Sequence, residues 1–133
     1  MIIVVMLYAC AFFSSNKYIV LDTATIPIIY FDFGDSSIDS TSAKTLISMV
    51  SFYKENQSLN LILRGYSDVD ECEKSDTLLS YDRAVNVKKL FVKRGIEKKK
   101  ITVKALGGND PVTSGRSKEE KRKNRRVEIV FVD

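Results

Sequence analysis

Apolar and polar positions change rhythm repeatedly along this chain, and each change marks an element. An uncharged apolar run, MIIVVMLYACAFF, occupies residues 1–13. A mixed polar stretch from Ser14 to Thr25 follows, and Pro27 then leads into an apolar, aromatic run closed by Gly34. That run predicts a strand over Ile28–Phe33. Over Thr41–Glu55 the period lengthens, with Ala43, Leu46, Ile47, Val50 and Tyr53 on one helical face. The Ser, Thr and Asp residues before it are suitable N-caps, and Asn56-Gln57-Ser58 ends it. Leu59–Arg64 alternates as a second strand, more buried than amphipathic, and an acidic loop runs from Gly65 to Ser75. A second helix starts at Thr77 or Ser80 and reaches about Arg94, with Leu79, Ala84, Val87, Leu90 and Phe91 as its inner stripe. Lys88, Lys89, Lys93 and Arg94 suit the negative end of its dipole, and Gly95 suits a left-handed C-cap. Ile101–Leu106 is a third strand, Gly107–Pro111 a turn, Ser117–Lys123 a polar helical turn and Arg126–Val132 a last strand.

The order β-α-β-α-β-β predicts an α+β fold. Two main helices would pack on one face of a four-stranded mixed sheet that contains a parallel, right-handed crossover. A chain of 133 residues can bury one core of ordinary size.

Composition narrows the chemistry. The chain has no histidine, so the usual general base near neutral pH and the commonest metal ligand are missing. Cys10 and Cys72 make neither a disulfide framework nor a zinc site. Glu71 and Glu73 disfavour a thiolate at Cys72. No cofactor and no metal is expected. The net charge is +4, with Arg116, Lys118, Lys121, Arg122, Lys123, Arg125 and Arg126 clustered late in the chain. Such a cluster can attract a polyanion, but a charge run is more often a solvated face. No helix-turn-helix, aromatic RNA-binding pair or zinc module accompanies it, so no nucleic-acid partner is expected.

The first apolar run is shorter than the ~20 residues of a membrane-spanning helix and reads as a secretory h-region. Leu7-Tyr8-Ala9-Cys10 resembles a lipobox, the site at which bacterial lipoproteins are cleaved and their cysteine acylated. The expected organisation is a signal peptide over 1–9, a lipidated Cys10 with a short tether over 10–26, and one folded domain over 27–133.

The chemistry concentrates in Leu59–Ala84. Asp68 and Arg83 stand fifteen positions apart, on either side of a strand–loop–helix turn. One carboxylate opposite one guanidinium suits a ligand carrying both an ammonium and a carboxylate. Alone, such a pair is more often a structural ion pair, worth at most about 1 kcal/mol at a surface. Without a histidine, metal ligands or a second carboxylate it lacks a nucleophile or an acid–base couple, so the chain is not expected to be an enzyme.

Four stretches carry a family likeness. YFDFGDSSI resembles an opening "FDFxxxxL", Gly65-Tyr66-Ser67-Asp68 a "GHTD", Leu79-Ser80-Tyr81-Asp82-Arg83-Ala84 an "LSxxRA", and Asn124-Arg125-Arg126-Val127-Glu128-Ile129 an "NRRVEI". In this order they resemble the OmpA-like C-terminal domain, the peptidoglycan-binding module of OmpA, the Pal lipoprotein and MotB, and the likeness covers about Ile28–Val132. The resemblance implies a site for the diaminopimelate residue of the peptidoglycan stem peptide. Asp68 would accept from the ligand ammonium, and Arg83 would hold its carboxylate in a bidentate pair that Lys cannot copy. Ser67, Asp76, Leu79 and Phe33 join the implied site. Phe31 and Phe33 share a face by strand alternation, which does not by itself say which packs the core and which lines the pocket. Tyr66 stands for the family's His, Ser67 for its Thr, Asp76 for its Asn and Glu71 for a common Gly.

The implied protein is Pal-like and lipid-anchored at the periplasmic face of the outer membrane, tying that membrane to peptidoglycan, with further envelope proteins as possible partners. The alternatives are a wall-anchoring subunit of a motor or secretion complex, or a polyanion-binding module using residues 116–126.

Overall fold

The computed structural model describes residues 27–71 and 76–133, without the side chains of Glu71 and Asp76. The expected signal peptide, Cys10 and tether lie outside the described residues, as does Cys72.

Among the described residues four strands and three helices form the domain: β1 (Ile28–Tyr30), α1 (Ser40–Glu55), β2 (Asn60–Tyr66), α2 (Asp76–Lys93), β3 (Ile101–Gly107), α3 (Lys118–Asn124) and β4 (Arg126–Val132). Short 3₁₀ turns at Val69–Glu71 and Lys98–Lys100 complete the course. The strands lie in the order β1-β4-β2-β3. β2 and β3 are parallel, with Leu61 beside Ile101 and Leu63 beside Val103, as a helical crossover between them requires. β4 runs antiparallel to both β1 and β2. The sheet is therefore mixed, and the α+β expectation holds.

The core follows the two periodicities of the sequence. Leu46, Met49, Val50 and Tyr53 of α1 are buried at helical spacing, and Val127, Ile129 and Phe131 of β4 alternate with half-buried residues. These pack with Leu61, Leu63, Ala84, Val87 and Phe91 into one apolar cluster between α1, α2 and one sheet face. Asp39 caps α1 by accepting from the Ser42 N–H at 2.6 Å. Gly95 closes α2 as expected: its N–H reaches Val92 O at 3.0 Å while the Ile96 N–H reaches Phe91 O at 3.0 Å, the paired bonds of a Schellman cap. Among the described residues no helix is long and apolar enough to cross a membrane.

Three expectations change. β1 ends at Tyr30 rather than Phe33, because the chain turns away at Phe31–Asp35 through Gly34 (φ 67°). The alternation that placed Phe31 and Phe33 together therefore stops short of them: Phe31 is buried and Phe33 is 65% exposed. On α2 the inward stripe includes Ser80 and Arg83, both fully buried, whereas Leu79 is half-buried. The polar turn at 117–123 is a full helix, α3, held by a capping box between Ser117 and Glu120.

Candidate functional site

The carboxyl end of β2, the first turns of α2, the Phe31–Asp35 turn and the start of β4 converge on one buried, charged site. Gly65 sets how closely α2 approaches β2. A Cβ there would lie 2.0 Å from the Ser80 carbonyl oxygen and 3.3 Å from the Ala84 Cβ, so only glycine allows this contact. Ser80 secures the neighbouring strand, its Oγ accepting from the Gly107 N–H at 3.1 Å and donating to Thr77 O at 3.0 Å. The Ser67 N–H also donates to Gly107 O, at 2.9 Å. Residues 65–68 thus leave the sheet with their backbone fixed.

Arg83 projects from α2 beneath this point and is 0% exposed. Its Nε donates to Asp35 O at 2.8 Å, Nη1 to Tyr66 O at 3.1 Å and Nη2 to Asp32 O at 3.0 Å. Its guanidinium carbon stands 5.3 Å from the centroid of the Phe31 ring. Asn86, three positions on, donates to Ser36 O at 2.8 Å. One face of α2 therefore grips the 32–36 turn from below.

Asp68 is 1% exposed. Its Oδ1 accepts from the Asp70 N–H at 3.3 Å, and its Oδ2 lies 3.4 Å from Arg125 Nη1. Arg125 Nε in turn donates to Phe31 O at 3.0 Å, while its own carbonyl accepts from the Phe31 N–H at 2.9 Å. Phe31 is held between two arginines, and the Asp68 carboxylate rests on the second of them. Burying such ions costs of the order of several kcal/mol each unless partners compensate; here carbonyls and a counter-ion do so.

At the rim, the Asp35 carboxylate accepts from the Ser37 hydroxyl at 2.6 Å and its N–H at 2.8 Å. These bonds, the hydroxyl foremost, hold the exposed Asp35 below the usual carboxylate pKa, and the Arg83 charge adds to them. Phe33 stands exposed on the same turn, and Leu79 lies half-buried on α2. Asp76 opens α2, but its side chain is outside the described residues.

The Tyr66 side chain packs against Arg126 and Glu128. It is 2% exposed, its hydroxyl reaches Glu128 Oε2 at 3.2 Å, and Arg126 stacks on its ring at 3.7 Å. Burial foremost, and then the Glu128 charge, push the phenol pKa up.

Four cations of the late basic cluster pair with carboxylates of the fold. Lys121 pairs with Asp70, Arg122 lies 3.9 Å from Asp32, Arg125 meets Asp68, and Arg126 meets Glu128 at 2.8 Å. Asn124 clamps the preceding loop, accepting from the Val112 N–H at 2.8 Å and donating to Thr113 O at 2.9 Å. The contact of Arg125 with Asp68 is the feature missed from sequence. Its signal was present, since Arg125 sits in the fourth family-like stretch.

Comparison with known proteins agrees with this architecture. The model of the OmpA family matches residues 30–125. The peptidoglycan-associated lipoprotein of Buchnera aphidicola is 28% identical over 103 residues, 77% of this chain and 60% of that protein. The probable lipoprotein YiaD of Escherichia coli is 29% identical over 77% of this chain and 47% of its own length. The chain thus spans about half the length of these curated relatives. Among solved structures, the peptidoglycan-associated lipoprotein of Burkholderia pseudomallei superimposes with a TM-score of 0.75 at 22% identity, covering 81% of this chain and 91% of that one. The C-terminal domain of Helicobacter pylori MotB gives 0.75 at 23%, covering 81% and 85%. At these identities the solved structures establish a shared fold.

Proposed function

The chain belongs to the OmpA family, and from that premise we propose that it binds peptidoglycan non-covalently through the diaminopimelate residue of the stem peptide, anchoring the outer membrane to the cell wall. The observation that carries this reading is the buried charge cluster of Asp68, Arg83 and Arg125, with exposures of 1%, 0% and 8%. A buried ionic cluster is a poor way to gain stability, since well-packed apolar side chains of similar volume do as well or better. A ligand that is itself a zwitterion gives the cluster a purpose.

The amino-acid head of diaminopimelate presents an ammonium and a carboxylate on one carbon. Asp68 would accept from the ammonium. The carboxylate would displace the Asp32 and Asp35 carbonyls from Arg83, exchanging neutral acceptors for a charge-assisted bidentate pair. Those carbonyls lie either side of Gly34, so a small rotation of the 32–35 turn would open the site. Phe33 on that turn, Ser67 before Asp68, and Asp76 and Leu79 at the head of α2 would line the entrance. We read the site as one for binding rather than catalysis, since its buried charged groups are the guanidiniums of Arg83 and Arg125 and the Asp68 carboxylate, and the chain has no histidine.

On the same reading residues 1–9 are a signal peptide, Cys10 carries the lipid, residues 10–26 are the tether and residues 27–133 the wall-binding domain. One weak site per chain suffices, because many anchored copies act on one polymer. The likeness to a MotB domain matches that to a lipoprotein at a TM-score of 0.75, so a wall-anchoring subunit of a motor is the second reading.

The test is co-sedimentation of the full chain with purified diaminopimelate-type peptidoglycan, beside Asp68→Asn and Arg83→Lys. Both substitutions keep side-chain volume in a buried site, where truncation to alanine would unseat the 32–36 turn. Wild type should pellet, and each variant should lose about tenfold or more in affinity while its circular dichroism is unchanged. Undiminished binding by both folded variants would refute the assignment.

A further inference from the structure

Helix α2 carries a second apolar stripe that does not face the core. Ala84, Val87 and Phe91 point inward, whereas Leu78, Tyr81, Val85 and Val92 recur at helical spacing about a third of a turn away. Leu78, Tyr81 and Val92 are 60%, 48% and 38% exposed. Beside this stripe runs β3, the free edge of the sheet, and between them lies a groove of about 560 Å³. Tyr81, Val85, Val92 and Val103 line it with apolar surface, and Lys88, Lys89, Lys93 and Lys98 line it with positive charge. Lys88 is held in place by donating to Ile101 O at 2.6 Å. Among the described residues Lys89, Lys93 and Lys98 meet no carboxylate, whereas four cations of the 116–126 cluster do. Lys100 and Lys104 extend the positive field along the β3 edge.

We propose that this groove is a docking site for an acidic, apolar-studded segment of a partner protein. Alternating carboxylates would meet the lysines while the intervening apolar side chains cover the valines. Complementarity selects this occupant over two others. A second copy of the chain would bring lysine edge against lysine edge, the arrangement by which edge strands avoid pairing with themselves. Residues 1–26 of the chain itself hold one lysine and one aspartate, and so cannot answer the charge. A groove also suits an inserted segment better than a flat lipid surface. The groove uses none of the residues assigned to wall binding, so the inference stands or falls apart from that reading.

The test is fluorescence anisotropy of a labelled peptide of about twelve residues alternating Glu with Leu, titrated with the full chain. The peptide should bind, and Lys89→Glu/Lys93→Glu and Val92→Ser should each weaken it about tenfold or more. All three positions are solvent-exposed, so both variants should keep the wild-type circular dichroism. Lys44→Glu, an exposed charge reversal on α1, should leave affinity unchanged. The proposal is overturned if the peptide does not bind or if Lys44→Glu weakens it equally. It is also overturned if a peptide with Ser for Leu binds as tightly, which would mark a mere polyanion face, or if anionic lipid vesicles capture the chain and the peptide does not.

Discussion

Gly65 lies where α2 presses directly on β2. With the Ser80 carbonyl oxygen 2.0 Å from where a Cβ would stand, the obstacle is helix backbone, which cannot rotate aside as a side chain can. Gly65→Ala should therefore cost about 3 kcal/mol or more, read as a lowered urea midpoint at unchanged slope. It should also move Arg83, one turn further along α2, away from Tyr66 O. An unchanged midpoint would mean that α2 can slide on β2, and that the site is less rigid than described. Arg83 and Asp68 show what a residue reading captures and what it misses. Their types and spacing could be read from the chain. That both would be buried, with Arg83 bonded to three carbonyls and Asp68 resting on Arg125, could not, because those partners are 48 to 57 positions distant or are backbone atoms without sequence identity.

At the scale of elements, periodicity was a good guide wherever packing alone decides the outcome. The last strand, Arg126–Val132, stands at its expected bounds because strict alternation sets apolar residues against the core. The first strand ran too long because the apolar character of Phe31 and Phe33 serves two different ends, one buried under Arg83 and one exposed on a turn. Apolar run length cannot express that division. Helix ends add a pH dependence. The Ser42 N–H foremost holds Asp39 below the usual carboxylate pKa, and the Ser117 hydroxyl foremost does so for Glu120. Asp35 is lowered through Ser37. A carboxyl whose folded pKa is depressed lends stability above its unfolded value and loses it as pH falls through the folded one. The urea midpoint should thus be level from neutrality to about pH 5 and fall below about pH 4. Asp39→Asn, which can still cap α1, should flatten part of that fall. A fall of equal size in this variant would remove Asp39 from the account.

At the scale of the whole molecule, the topology separates two charged regions that the sequence blurs. Residues 116–126 look like the basic face of the chain, yet Lys121, Arg122, Arg125 and Arg126 turn back and pair with Asp70, Asp32, Asp68 and Glu128. Lys89, Lys93 and Lys98, which meet no carboxylate among the described residues, lie elsewhere, where α2 meets the sheet edge, brought together by a crossover that no linear window displays. The proposed wall site sits at the opposite, carboxyl end of β2, where a buried zwitterion-shaped cluster waits under a glycine-containing turn. Its central claim is that recognition needs both charges of the ligand head. Diaminopimelate differs from lysine by one carboxylate, the group assigned to Arg83. The most direct measurement is therefore co-sedimentation of the full chain with diaminopimelate-type and lysine-type peptidoglycan side by side. The chain should bind the first and lose about tenfold or more in affinity on the second. Equal binding to both walls would contradict that claim.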